Sequence, residues 1–280
     1  MTETAPAVET LGAPALLDVR GMQKSFKGRG QEVEAVRDLT FSIEEGEFAC
    51  IVGPSGAGKT TLLKCVAGLF QPTAGDVLLH GSRVVGPPRD MAVVFQEYGR
   101  SLYPWMTVEQ NVALPLQQKK IPKKRRNELV HDSLESVGLG ASRTSYPWQL
   151  SGGMQQRVAI ARAVAYEPSV LLMDEPFAAV DAQTRADLED LSRQLWHRLS
   201  MTVLFVTHDI DEAVYLGQRV LVLSSSPTVV MEDVAIGLPD ERDQLTTRSL
   251  AAFTDLRSHV YSRIQDAKTF HGRPIQGHGF

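Results

Sequence analysis

The sequence predicts an α/β fold with a mainly parallel core sheet, an antiparallel β subdomain and an inserted helical subdomain. Three observations predict it. A strand-like run, Phe48-Ala-Cys-Ile-Val52, enters a Gly-rich turn that opens a helix-like run, Thr61 to Ala67. Short apolar runs such as Val170–Met173 and Thr202–Val206 alternate with helical segments, the mark of a parallel sheet buried on both faces. From about residue 107 to 149 the chain turns richer in Gln and Lys with helical periodicity. The 280 residues, 43% hydrophobic and 22% charged, suit one large domain or one with a subdomain.

Taken in order, residues 1–14 read as a disordered segment. Leu16-Leu-Asp-Val-Arg20 opens a strand, and Phe26–Gly30 reads as a loop. From Val33 to Ile43, Val36, Leu39, Phe41 and Ile43 form the apolar set of a second strand, expected to pair antiparallel with the first. Glu44-Glu-Gly46 is a turn, and Gly68–Pro72 ends the helix after the Gly-rich loop. Asp76–Leu79 and Met91–Phe95 are short strands. Leu129, Ser133, Ser136 and Val137 share a face of a helix in the inserted subdomain, which spans about 100–165 with its flanks. Helices are expected at Met154–Tyr166, stopped by Pro168, and at Asp181–Leu199. Val220–Leu223 and Thr228–Met231 complete the sheet. A last helix spans Thr247–Gln265, carried by Leu250, Phe253, Leu256, Val260 and Ile264, within a helical extension over 241–267; a flexible tail covers 268–280.

The Gly-rich turn is Gly53-Pro-Ser-Gly-Ala-Gly-Lys-Thr60, the form G-x-x-x-x-G-K-T of a phosphate-binding loop. Gly53, Gly56 and Gly58 are expected to curl the backbone at φ values other residues avoid, so that N–H groups point inward. That concavity and the helix start behind it favour phosphate oxygens. Lys59 reaches the β- and γ-phosphates, and the Thr60 hydroxyl ligates Mg²⁺. The residues expected to hold nucleotide are therefore Gly53, Pro54, Ser55, Gly56, Ala57, Gly58, Lys59, Thr60 and Thr61. Val170-Leu-Leu-Met-Asp-Glu175 ends a strand in two acids, where a parallel sheet binds ligands. Asp174 is placed to hold the Mg²⁺ hydration shell and Glu175 to polarise a water against the γ-phosphate.

Composition narrows the partners. The formal net charge of −4 argues against a bulk nucleic-acid binder. Two cysteines, Cys50 and Cys65, lie in apolar runs and read as buried free thiols. Residues 1–10 lack the basic and apolar regions of a secretory signal, and no apolar run approaches the ~18 residues of a membrane span. A membrane role would come through a partner. The basic run Lys119–Arg126 reads as a solvated helix start, and Trp105 and Trp148 are expected to pack the helical subdomain.

Leu150-Ser-Gly-Gly-Met-Gln-Gln-Arg157 is the second decisive string. With it the chain resembles the ATP-binding-cassette ATPases from Leu16 to Met231, with matching motif order. The resemblance implies a P-loop NTPase fold with an ATPase domain over 15–240, ATP as substrate and Mg²⁺ as cofactor. It implies that Ser151, Gly152 and Gly153 face the ATP held by a second copy of the chain, so one protomer lacks a complete site. His208 matches the switch histidine at the γ-phosphate, and Gln96 the glutamine that senses Mg²⁺ and water. Phe26 matches the aromatic stacked on adenine, and Asp181 the loop linking the protomers. Met154 and Ala178-Ala-Val180 depart from the commonest family pattern.

Val93-Val-Phe-Gln-Glu97, Leu102–Glu109 and Asn111-Val-Ala113, with the Leu150–Arg157 string, resemble the nitrate/sulfonate/taurine importer branch, as does the short ending from Leu238 to Gln265. That implies a peripheral subunit on the cytoplasmic side of the membrane. Its partners would be an integral permease, docked near Tyr103–Met106, and indirectly an extracytoplasmic solute-binding protein; no nucleic acid is implied. The competing reading is a soluble cassette ATPase outside transport, of the iron–sulfur assembly type. A small GTPase or kinase is disfavoured, since no Asn-Lys-x-Asp string occurs.

Overall fold

Alternating burial starts the architecture. In the computed structural model, which describes residues 15–27 and 32–270, Leu17 and Val19 in β1 (Leu17–Lys27) face inward. So do Val36, Leu39, Phe41 and Ile43 in β2 (Glu32–Ile43). The two strands pair antiparallel. Val36 and Leu39 are three apart yet both buried, because the register slips between the pairs Met22↔Leu39 and Lys24↔Val36. Phe26 lies in β1 rather than in a loop, since pairing runs on to Lys27↔Glu32. The rest of that expected loop, 28–30, lies outside the described residues, as do 1–14 and the 271–280 part of the expected tail.

The chain then alternates. β3 (Phe48–Val52), α1 (Lys59–Val66), β4 (Ala74–Leu79), β5 (Ser82–Arg83) and β6 (Met91–Val94) precede α2 (Tyr98–Ser101), α3 (Val108–Gln118) and α4 (Lys123–Ser136). α5 (Gly152–Ala165), β7 (Val170–Asp174), α6 (Ala182–Leu199), β8 (Thr202–Val206) and α7 (Ile210–Leu216) follow. β9 (Arg219–Leu223), β10 (Thr228–Ala235) and α8 (Ala251–Thr269) end the described chain. The sheet order is β5-β4-β1-β2-β10-β9-β3-β8-β7-β6. Every residue of β3, β7 and β8 is buried, which fits strands covered on both faces. β9, β3, β8, β7 and β6 are parallel, and β10 joins them to the antiparallel strands.

The inserted helices α3, α4 and α5 pack on one another. Thr107 starts α3 with a reciprocal cap, its hydroxyl accepting from the Gln110 amide while Gln110 accepts from the Thr107 amide. Leu129, Ser133 and Val137 face inward as expected, joined by Val130 and Leu134, while Ser136 is half-buried. The expectation that Trp105 and Trp148 pack this subdomain is not met. They are 69% and 70% exposed, each set beside a proline in a turn and resting on Tyr103 and Tyr146 respectively. In the basic run, Lys119 lies 3.7 Å over the Tyr166 ring and Arg125 pairs with Glu167 at 2.8 Å.

The final helix begins at Ala251, four residues later than expected, because Asp243 accepts from the amides of Leu245 and Thr246 and a turn replaces the first helical turn. Phe253, Val260, Ile264 and Ala267 seat α8 against α7, β9 and β10. Cys50 and Cys65 are buried and free, and burial pushes the Cys65 thiol up to about 11. Among the described residues no helix is long and apolar enough to cross a membrane.

Candidate nucleotide site and its family

β3, β7 and β8 are adjacent and parallel, so their C-terminal ends deliver their loops to one edge. From β3 comes the phosphate loop. Gly56 and Gly58 have φ of 78° and 72°, as a curled loop requires. Gly53 does not; a Cβ there would meet the Leu223 carbonyl at 3.0 Å, so its glycine serves close packing rather than backbone curl. Thr228, fully buried on β10, braces the loop by donating to the Ala57 carbonyl. The Lys59 ammonium donates to the carbonyls of Gly53 at 2.9 Å and Pro54 at 3.2 Å, and lies 4.0 Å from Glu175. Burial holds the Lys59 ammonium below its ordinary range, while Glu175 and Asp174 pull it back up.

From β7 come the acids. The Thr60 hydroxyl lies 3.4 Å from Asp174. Burial raises the Asp174 carboxyl, and the Thr60 hydrogen bond opposes that. Glu175 has a φ of 44°, rare for a side chain this size, and its amide donates to the Val206 carbonyl at 2.8 Å. That backbone kink turns the carboxylate out of the sheet edge. Gln96, just past β6, reaches it at 3.4 Å, and Nδ1 of His208, just past β8, at 3.0 Å. Six of the expected residues thus converge: Lys59, Thr60, Gln96, Asp174, Glu175 and His208.

A cavity of about 660 Å³ opens here. Ser55 to Thr61, Glu175 and His208 line it, together with Val33, Ala35 and Ser226. Its loop amides and lysine favour a polyphosphate. The hydroxyl of Thr60 and the carboxylate of Asp174 are hard oxygen donors that suit Mg²⁺, which keeps waters and phosphate oxygens in its remaining positions.

Ser151, Gly152, Gly153, Asp181 and Phe26 do not line this cavity. Ser151 caps α5, its hydroxyl accepting from the Met154 amide at 3.3 Å, and it is exposed with Gly152. Gly153 abuts α6: a Cβ there would meet Thr184 at 2.4 Å. Asp181 caps α6, accepting from the Thr184 amide and hydroxyl, and these bonds hold its carboxyl low. Phe26 packs edge-on against Phe70, ring centroids 5.8 Å apart, and stays 39% exposed.

Sequence reading missed Arg185, Thr207, Asp209 and Glu212, which surround His208 from behind. The signal was present in Asp209-Ile-Asp-Glu212, the D-x-x-E spacing of a helix start.

Comparison with known proteins gives the family. Residues 36–178 match the family model described as ABC transporter. A nitrate import ATP-binding protein of Synechocystis sp. is 45% identical over 233 residues, 83% of this chain and 87% of that one. An aliphatic sulfonates import ATP-binding protein of Bacillus licheniformis is 40% identical over 254 residues, 91% of this chain and 96% of that one. A dimeric ATP-binding cassette in a post-hydrolysis state with ADP and Pi superimposes with a TM-score of 0.70 at 33% identity, covering 79% of this chain and 98% of the other. The chain belongs to the ABC transporter family, and it is an ATPase built on the ATP-binding cassette.

Proposed function

We propose that this chain is the ATP-hydrolysing subunit of an importer for a small anionic solute of the nitrate, sulfonate or taurine class. It works as a pair of copies on the cytoplasmic side of the membrane, bound to a separate permease that a solute-binding protein feeds. One observation carries the two-copy reading. The phosphate cavity is lined by a single set of elements, yet Ser151 and Gly152 lie exposed elsewhere at a helix N-terminus that favours anions. A second copy brings that helix start to the γ-phosphate, and Asp181 to the seam between copies. The related cassette bound to ADP and Pi is dimeric, which supports the arrangement.

Hydrolysis needs in-line positioning and charge neutralisation more than covalent chemistry. Lys59 and the amides from Gly56 to Thr61 offset phosphate charge. Glu175 accepts the hydrogen bond of the attacking water and orients it. His208 holds the Glu175 carboxylate and contacts the γ-phosphate, and Gln96 reports on both from the loop that leads to the aromatic pairs. Phe26 stacks on the adenine. Thr60, Gln96 and Asp174 would hold Mg²⁺, which would supply charge neutralisation for the phosphates. ATP closes the pair of copies and hydrolysis opens it, a population shift that can be harnessed elsewhere.

Trp105 on Tyr103 and Trp148 on Tyr146 form the surface we assign to the permease. The segments carrying them are stitched together, the Val108 amide donating to the Ser145 carbonyl at 2.8 Å. Large exposed aromatics of this kind mark contact surfaces. The test is a tagged pull-down from mildly solubilised native membranes. A polytopic protein recovered in stoichiometric amount is the expected result; tagged chain found only in the soluble fraction would favour an ATPase outside transport.

A further inference from the structure

Beside His208 lies a cluster of charge in which Glu212 is buried and Arg185 and Asp209 are half-buried. Thr207, 1% exposed, donates its hydroxyl to Glu212 at 2.6 Å and accepts from the Asp209 amide at 3.0 Å. Asp209 caps α7, accepting from the amides of Asp211 and Glu212. The two residues flanking His208 are therefore both fixed by side chains. One guanidinium closes the arrangement from another element. Arg185, on the first turn of α6, lies 3.3 Å from Asp209 and 3.4 Å from Glu212.

The same turn of α6 carries the contacts to the other half of the machinery. Arg185 donates its amide to the Asp181 carbonyl, and Thr184 bonds Asp181 while lying against Gly153. We infer that Arg185 is a positioning residue for His208. Its fork holds Asp209 and Glu212, these fix the backbone on both sides of the histidine, and the imidazole is thereby aimed at Glu175 and the γ-phosphate. Arg185 touches no reacting atom. Its place on α6 ties the histidine of one copy to the Asp181 loop at the seam with the other. The inference rests on the assignment of His208 to the γ-phosphate.

The geometry explains why arginine is used. A planar fork meets two carboxylates at once, whereas a lysine ammonium is a single point charge on a flexible stem. With α6 helical from Ala182, a shift of its first turn moves Arg185 rigidly. Misplacing a catalytic group by about 1 Å costs up to about a hundredfold in rate.

The test uses the full chain. Steady-state hydrolysis of MgATP is measured for wild type, His208→Ala, Arg185→Ala and Arg185→Lys. In parallel, spectra of ¹³C-histidine-labelled protein are recorded, with the His208 signal identified by its absence in His208→Ala. Arg185→Ala should lower kcat about tenfold or more while KM stays within about twofold. It should also move the His208 ring signal and leave that of His131, on α4, in place. Arg185→Lys should recover part of the rate. A wild-type kcat in Arg185→Ala, or a His208 signal that does not move, would overturn the inference. So would a rise in KM as large as the fall in kcat, which marks general loosening. If His208→Ala itself turns over at the wild-type rate, the assignment of His208 fails first. If it is inactive while Arg185→Ala is normal, only the positioning role fails.

Discussion

The strand ends and the start of α5 handle polar groups in opposite ways. At the ends of β3, β7 and β8, every functional side chain meets another: Lys59 and Glu175, Thr60 and Asp174, Glu175 and His208. At the start of α5, Ser151 satisfies only its own helix, and beside it stands an exposed aromatic surface. The first region makes its contacts within the chain; the second leaves Ser151 and Gly152 exposed. On the proposed two-copy reading, one copy carries the reacting half of one site and the completing half of another.

The largest way to break the closed region is Lys59→Ala. It removes the buried cation at the phosphate loop, and ATP affinity should fall at least about a hundredfold, read by equilibrium titration. Unchanged affinity would contradict the loop assignment. Glu175→Gln keeps the shape but removes the charge that orients water. Turnover should fall about a hundredfold or more with ATP affinity retained, measured by phosphate release and titration.

The Glu212 carboxyl sharpens the contrast through stability. Burial pushes it up to about 7, opposed by the Thr207 hydrogen bond and Arg185 and aided by Asp209 and Glu189. The folded chain thus keeps a proton that the unfolded chain releases near the usual carboxylate range. Glu212 then costs nothing below that range and costs stability progressively as pH rises to about 7. Glu212→Gln, neutral throughout, should remove roughly 3 kcal/mol of that loss between pH 4.5 and neutrality, read as the difference between denaturation series. In the open region, Trp105→Ala with Trp148→Ala should change stability by less than about 0.5 kcal/mol and leave basal hydrolysis intact, while lowering recovery with membranes. Loss of folding stability instead would mean that the two rings pack the chain after all.

What could be read from the sequence follows the same division. The phosphate loop and Asp174-Glu175 are local strings whose flanks declare strand and helix, so Gly56, Gly58, Lys59 and Thr60 were legible with their roles. The convergence of Gln96, Glu175 and His208 was not, since it depends on the order of parallel strands 33 and 79 residues apart. Only the resemblance to a family singled out Gln96 and His208. Gly53 shows the limit at a single residue, its need set by Leu223 across the sheet. Trp105 and Trp148 show it for burial: large aromatics between helices were expected to pack inward, and short proline-bearing turns hold them outward. Arg185 was invisible because its carboxylate partners lie on a different element.

The central claim is that the start of α5 completes the site of a second copy. Sedimentation of Glu175→Gln with and without ATP, and of Glu175→Gln combined with Ser151→Arg, tests it directly. The account predicts that ATP converts Glu175→Gln to a stable dimer, and that adding Ser151→Arg keeps it monomeric with ATP still bound. A dimer that forms equally well with Arg at position 151, or a Glu175→Gln chain that stays monomeric in ATP, would contradict it.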